Sequence, residues 1–231
     1  MYRPAGPAAD FPPPPWIGTD EAGKGDYFGP LVVAAVYSDK DIASSLKALG
    51  VRDSKMVADR KARELAMSVR QICREKIAVI ELTPVSYNAL YERFREEKKN
   101  LNHLLAWAHA KAIETVLDLI PCPTAITDQF ADARYLRERL RVEMRTPPLD
   151  LIQRPRAEEN IAVAAASLLA RAAFLDWLEK AGKRWGTTLP KGATHVIEAA
   201  RSFARANGKK ALQEVAKLHF RTTEKALQEG M

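Results

Sequence analysis

The run Leu31–Tyr37 (LVVAAVY) constrains the fold of this chain more than any other segment. It is continuously apolar and carries β-branched residues, which suits a strand buried within a sheet. Before it lies Asp20–Pro30, a turn-forming stretch with Gly23, Gly25 and Gly29, and before that Trp16–Thr19 reads as a short strand. Two strands joined by a glycine-rich connection predict a hairpin at the start of the fold.

Beyond Tyr37 the chain alternates between helix and strand. Residues 41–49 and 57–75 have helical patterning, with Leu65, Val69 and Ile72 spaced four and three apart. Ile77–Leu82 reads as a third strand, residues 86–97 and 100–120 as helices, and Pro121 and Pro123 end the second of these. Short strands are predicted at 124–127 and 149–153, with a helix over 135–141 between them. A long helix spans 159–181, and its small face, Ala162–Ala166, allows close packing on a sheet. Residues 195–206 and 208–228 read as two further helices. The pattern predicts an α/β domain with a central sheet flanked by helices and an all-helical C-terminal portion. Residues 1–15 end in Phe11 and four prolines; they read as a disordered, proline-rich tail ahead of a folded region beginning at Trp16.

Four acids stand beside predicted strand ends. Asp20 and Glu21 follow the first strand, Asp128 follows the strand at 124–127, and Glu158 lies between the strand at 149–153 and the long helix. Acids so placed can converge at one edge of a sheet, where active sites commonly form on loops held by a rigid scaffold. Four carboxylates in one partly dry site repel strongly, and two Mg²⁺ ions would neutralise them. A metal pair about 3.5–4 Å apart activates an attacking water and stabilises the leaving oxygen of a phosphodiester. Any one of these acids alone is explained as well by a cap or a surface charge. The segment Gly23-Lys24-Gly25 adds backbone that a substrate can approach closely and a point charge for phosphate, although an ordinary tight turn is the more frequent meaning of that pattern.

The charge of the chain is +7, and residues 180–231 hold eleven Lys or Arg against four acids, so that surplus sits entirely at the C-terminal end. A basic end on a neutral body suits polyanion binding, because phosphate neutralisation supplies most non-specific affinity for nucleic acid. A solvated helical tail is the plainer alternative. Cys73 and Cys122 lack metal-ligand spacing and read as reduced thiols of a cytoplasmic protein. No run of about 18 apolar residues calls for a membrane span, and Met1–Pro15 lacks the order of a signal peptide. His103, His109, His195 and His219 form no ligand set; the first two read as helix-surface or partly buried polar residues. Tyr27 is open between flanking a substrate and packing in the core.

These segments together resemble a known family. Residues 17–36 (IGTDEAGKGDYFGPLVVAAV) resemble the signature of the type 2 ribonucleases H, and Asp26–Pro30 (DYFGP) is most similar to ribonuclease HIII. Asp53-Ser54-Lys55, Asn100–Glu114, Thr127–Ala131, Ala157-Glu158 with Ile161–Arg171, and Leu189–Ala193 resemble further segments of that family, in the same order. The resemblance implies a ribonuclease H-like fold with a central mixed five-stranded sheet, a catalytic domain over 16–190, and a basic helical extension over 191–231 packed on it. It implies an endonuclease that cuts the RNA strand of RNA–DNA hybrids with two Mg²⁺ ions, or Mn²⁺, leaving 5′-phosphate and 3′-hydroxyl ends. Carried over by motif, the catalytic and metal-holding acids are Asp20, Glu21, Asp128 and Glu158, with the adjacent Glu159 as the alternative for the fourth. Gly23, Lys24, Gly25, Ser54, Lys55 and Lys191 are the implied substrate contacts. A cytoplasmic monomer is expected, lacking the N-terminal substrate-binding domain usual in ribonuclease HIII. Two other readings stay open: a ribonuclease HII-like enzyme cutting at single ribonucleotides in duplex DNA, and a hybrid-binding protein with weak catalysis.

Overall fold

The computed structural model describes residues 11–51, 57–130, 132–140 and 148–228. In chain order it contains β1 (Trp16–Ala22), β2 (Leu31–Ser38), α1 (Lys40–Ala48), α2 (Asp59–Cys73), β3 (Ile77–Leu82), α3 (Pro84–Glu96), α4 (Leu101–Leu117), β4 (Thr124–Asp128), α5 (Ala133–Leu140), β5 (Asp150–Arg154), α6 (Ile161–Trp185), α7 (Ile197–Asn207), α8 (Leu212–Val215) and α9 (Arg221–Leu227). The five strands form one mixed sheet in the order β3-β2-β1-β4-β5, as expected.

β1 is longer than its residue types suggest. Asp20 and Glu21 were expected beyond the strand, yet both lie inside it. The reason is position: β1 sits between β2 and β4, so neighbours on both sides satisfy its backbone, and ladder bonds outweigh the low strand preference of acids. β1 and β4 run parallel, pairing Ile17 with Ala125, Gly18 with Ile126 and Thr19 with Thr127. β4 and β5 are also parallel, and their last pair is Asp128 with Arg154. β2 is buried along its whole length, as its unbroken apolar run predicts.

The chain divides into two compact units. The first comprises residues 1–21, 33–80 and 101–172, and the second residues 22–32, 81–100 and 173–231. In the first unit, Gly18 is what lets α6 lie against β1. A Cβ at Gly18 would fall 2.2 Å from the Val163 nitrogen and 2.3 Å from the Ala162 carbonyl carbon. The small face Ala162–Ala166 is fully buried, as expected of a helix seated this closely on a sheet. Ile126, Ala157 and Val163 form a core cluster, with Phe11, Trp16 and Ile152 packed against it. Part of the segment expected to be disordered is therefore anchored: the Trp16 indole donates to the Pro12 carbonyl at 2.7 Å, and the Arg154 guanidinium lies 4.1 Å from the centre of the Phe11 ring. Residues 1–10 of that segment lie outside the described residues.

In the second unit, the helix expected over 208–228 is broken. Between α8 and α9, Ala216 is extended and bridges Phe28, while the Lys217 N–H donates to the Tyr27 carbonyl at 2.9 Å and the Gly29 N–H to the Val215 carbonyl at 2.9 Å. Helical preference is a weak prior, and these long-range bonds together with burial of Lys217 override it. Tyr27 is fully buried here, its ring edge-on to Phe28, and its hydroxyl accepts from Thr223 at 3.2 Å, which resolves its role as packing.

Among the described residues α6 is long and apolar enough to cross a membrane, with a mean hydropathy of 1.6 over its most apolar stretch, but 72% of that stretch is buried within the protein. That is the composition of a core helix, and the sequence expectation of no sufficiently apolar run understated it.

Candidate active site

The site grows from the ends of β1, β4 and β5. One register step beyond the Thr19–Thr127 pair sets Asp20 beside Asp128 on adjacent parallel strands. β5 then leads through a turn into a single 3-10 turn, Ala157–Glu159, that directly precedes α6. The Ala157 N–H points at the Asp128 Oδ1 at 3.5 Å, a long contact that brings Glu158 to the same edge. Arg156, in the left-handed region at φ 60°, makes the reversal into this turn.

Side-chain alternation splits β1 between two helices. Gly18 faces α6, so Asp20 lies on that face too, while Thr19 and Glu21 face α4, where both touch His109. The Asp20 Oδ1 accepts the Glu21 N–H at 2.9 Å, which fixes one oxygen of the first acid against the backbone of the second.

The neighbouring acids are treated differently. Glu159 accepts from Arg154 at 3.1 Å and lies 3.4 Å from the Arg156 Nε, so its charge is already offset. Among the described residues, Glu158 has no ion pair or hydrogen bond, and the Asp128 carboxylate has only the long Ala157 contact. Two half-buried carboxylates without cationic partners, beside Asp20 and Glu21, form an all-oxygen set suited to a hard divalent cation. No three His, Cys, Asp or Glu side chains among the described residues already stand at ligating distance. Mutual repulsion opposes such a cluster until a cation is shared, so the acids fit a metal in chemistry and placement, and their side chains must turn to close on it.

The glycine segment continues from Glu21 into the second unit. Gly23 is buried at φ 84°, with the Pro30 carbonyl 2.1 Å and the Phe174 ring 2.9 Å from where a Cβ would stand, so only glycine fits. Gly25 is exposed and open, and Lys24 between them is half-buried. Asp26 ties this loop to Gly192: its Oδ1 accepts the Gly192 N–H at 2.6 Å, and the Tyr27 N–H donates to the Gly192 carbonyl at 2.8 Å. The exposed Lys191 is thus held next to the loop in the same unit as Lys24. Ser54 and Lys55 lie outside the described residues.

Sequence reasoning missed His109. It was read as a helix-surface or partly buried polar residue, but it is fully buried, and it joins Thr19 and Thr127 to Glu21. The signal was present in its surroundings: His109 stands among apolar positions of α4, where helix spacing turns it inward with Leu105 and Ile113. His103 packs edge-on to Tyr135, and His219 packs between Tyr91 and Phe220, and neither belongs to a group of three or more candidate ligands among the described residues.

Comparison with known proteins gives a consistent result. Residues 17–223 match the family model described as ribonuclease HII. A ribonuclease HIII of Protochlamydia amoebophila is 43% identical over 214 residues, covering 92% of this chain and 68% of that protein. A ribonuclease HIII of Chlamydia pneumoniae is 44% identical, covering 90% and 68%. Among solved structures, Bst-RNase HIII in complex with Mn²⁺ superposes with a TM-score of 0.81 at 35% identity, covering 92% of this chain and 69% of that one.

Proposed function

The chain belongs to the ribonuclease HII family, in its ribonuclease HIII branch, and from that membership we infer that it hydrolyses the RNA strand of RNA–DNA hybrids with divalent metal at the β1–β4–β5 edge. The observation that carries the assignment of the site is the parallel register of β1 and β4, which sets Asp20 beside Asp128 while the 3-10 turn brings in Glu158.

Asp20, Glu21, Asp128 and Glu158 hold the metal, which we read as two Mg²⁺ ions, with Mn²⁺ able to replace them. The Mn²⁺ complex of the Bst relative supports a manganese-competent site. When bound, such ions supply an activated water and a stabilised leaving oxygen, so that the products carry 5′-phosphate and 3′-hydroxyl ends. The protein's own part is placement. Asp20 and Asp128 are fixed by the sheet, and Glu158 by a turn pinned between β5 and α6. Glu158 rather than Glu159 is the fourth acid, because Arg154 and Arg156 already engage Glu159.

Gly25 offers open backbone to the hybrid, and Lys24 and Lys191 offer charge to its phosphates. Contact with the ribose 2′-hydroxyl is what separates RNA from DNA, and exposed glycine backbone suits that contact. Ser54 and Lys55 complete the proposed substrate contacts by motif alone. The free, buried thiols of Cys73 and Cys122 suit a reducing compartment, and we place the enzyme in the cytoplasm as a monomer.

The test compares a long RNA–DNA hybrid with a DNA duplex carrying one ribonucleotide, each with Mg²⁺ and with Mn²⁺. Cleavage at many sites along the hybrid is expected. Efficient cutting of the single-ribonucleotide duplex alone would overturn the ribonuclease HIII reading in favour of HII-like specificity.

A further inference from the structure

His109 is a polar side chain with no exposed surface, in the middle of an apolar helix. Its ring is bound at both nitrogens. Nε2 lies 3.1 Å from the Glu21 Oε2, and Nδ1 lies 2.8 Å from the Thr19 hydroxyl, with Thr127 further off at 3.5 Å. A carboxylate only accepts, so Nε2 carries the hydrogen that it donates to Glu21. On its other side Nδ1 pairs with the Thr19 hydroxyl, so the strand that carries Glu21 also holds the ring that serves it. Phe130, two residues past Asp128, stacks on the imidazole with centroids 4.8 Å apart and planes 18° apart. Its N–H donates to the Asp128 carbonyl at 3.1 Å, so the ring that covers His109 also steadies the chain after Asp128.

This is more restraint than packing needs. An apolar side chain would fill the space without burying two ring nitrogens. A carboxylate that must ligate a cation gains from being held in one orientation, and Glu21 is mostly buried, with 12% of its side chain exposed. We propose that His109 is a positioning residue that holds one oxygen of Glu21 so that its carboxylate is pre-set to bind the divalent cation. The proposal rests on the reading of Asp20, Glu21, Asp128 and Glu158 as the metal-holding set. His109 touches neither substrate nor metal and acts through Glu21.

The test uses the full chain and four variants: His109→Phe, His109→Gln, Thr19→Val and Asp20→Asn. Mn²⁺ binding is measured by electron paramagnetic resonance without nucleic acid. Hybrid binding without metal and cleavage against Mn²⁺ concentration are measured alongside. Partners behind a metal ligand typically contribute about 10–100-fold to metal affinity or activity. His109→Phe keeps the ring volume and the Phe130 stack but lacks both nitrogens. It should weaken Mn²⁺ binding by about that range, leave hybrid binding unchanged, and regain most of its rate at saturating Mn²⁺. His109→Gln keeps an N–H donor within reach of Glu21 and should restore most of the affinity. A merely structural role would predict neither the metal-specific loss nor the rescue. Thr19→Val frees the far side of the ring and should give a smaller loss in the same direction, which decides the matter if His109→Phe does not fold. Mn²⁺ affinity within about twofold of the unaltered chain in Thr19→Val and in whichever His109 variants fold would overturn the proposal. Asp20→Asn separates the site from its positioning residue: unimpaired metal binding and cleavage there would overturn the reading of the site itself. Loss in Asp20→Asn with no change at His109 would overturn only the role of His109.

Discussion

Gly18→Ala should damage the enzyme through geometry alone. The added methyl carbon would stand 2.2 Å from the Val163 nitrogen and 2.3 Å from the Ala162 carbonyl carbon, whereas ordinary contact begins near 3.4 Å. The difference, 3.4 minus 2.2, requires α6 and β1 to part by about 1.2 Å along that contact. The clashing atoms are backbone in a helix and a central strand, so no side-chain rotation relieves them. Overpacking of this kind costs about 1–3 kcal/mol, and the rigid partners place this case at the upper end. The same displacement acts on catalysis, because Asp20 lies two residues beyond Gly18 and Glu158 three residues before α6. A shift of about 1 Å between positioned groups can lower a rate by about a hundredfold. Urea denaturation gives the first quantity, and single-turnover cleavage of a hybrid at saturating Mn²⁺ gives the second. A variant as stable as the parent, or one that loses about 3 kcal/mol yet cleaves at the parental rate, would refute the coupling of helix seating to site geometry.

Three further outcomes concern buried charge, the fourth acid and the basic C-terminal end. Burial lowers the Lys217 amine from 10.5 to about 7, with Asp26 acting against that shift. Between those values the unfolded chain holds a proton that the folded chain lacks, so stability should rise with pH from 7 to 10 by up to about 1.4 kcal/mol per unit. Lys217→Met should flatten that rise in urea titrations, and an unchanged slope would contradict it. Glu159→Gln should keep cleavage within about tenfold of the parent, because it disturbs ion pairs of Arg154 and Arg156 rather than a metal ligand; a loss as large as that of Glu158→Gln would move the fourth acid to Glu159. Hybrid binding should weaken steeply with salt, given the seven surplus positive charges of residues 180–231. A logarithmic slope equivalent to only about one or two phosphate contacts would contradict a basic grip on the hybrid.

The sequence was most legible where one residue pattern has one physical meaning. The unbroken run in β2 and the small face of α6 predicted buried elements, and both are buried. The acids could be placed near strand ends, because β4 stops at Asp128 and β5 at Arg154. Their mutual position could not be read, since it depends on the parallel register of β1 and β4 between residues about a hundred apart. β1 runs three residues further, through both acids to Ala22, than strand preference allows, because its neighbours decide its length. The break at Ala216–Phe220 was hidden for a similar reason: the segment has helical composition, and long-range bonds to Tyr27, Gly29 and Asn88 unwind it. Gly18 carried no local signal, and the apolar neighbours of His109 in α4 signalled its burial but not its partner. One is a glycine in a short strand and the other a histidine in a helix, until α6 and Glu21 are set beside them.

The most direct test of the central claim is cleavage of a long RNA–DNA hybrid by Asp20→Asn and Glu158→Gln, with metal-free hybrid binding measured in parallel. Each should lose activity by orders of magnitude and still bind the hybrid, because what is removed is stabilisation of the transition state. Undiminished metal-dependent cleavage in both would contradict the assignment of Asp20, Glu21, Asp128 and Glu158 as the catalytic set.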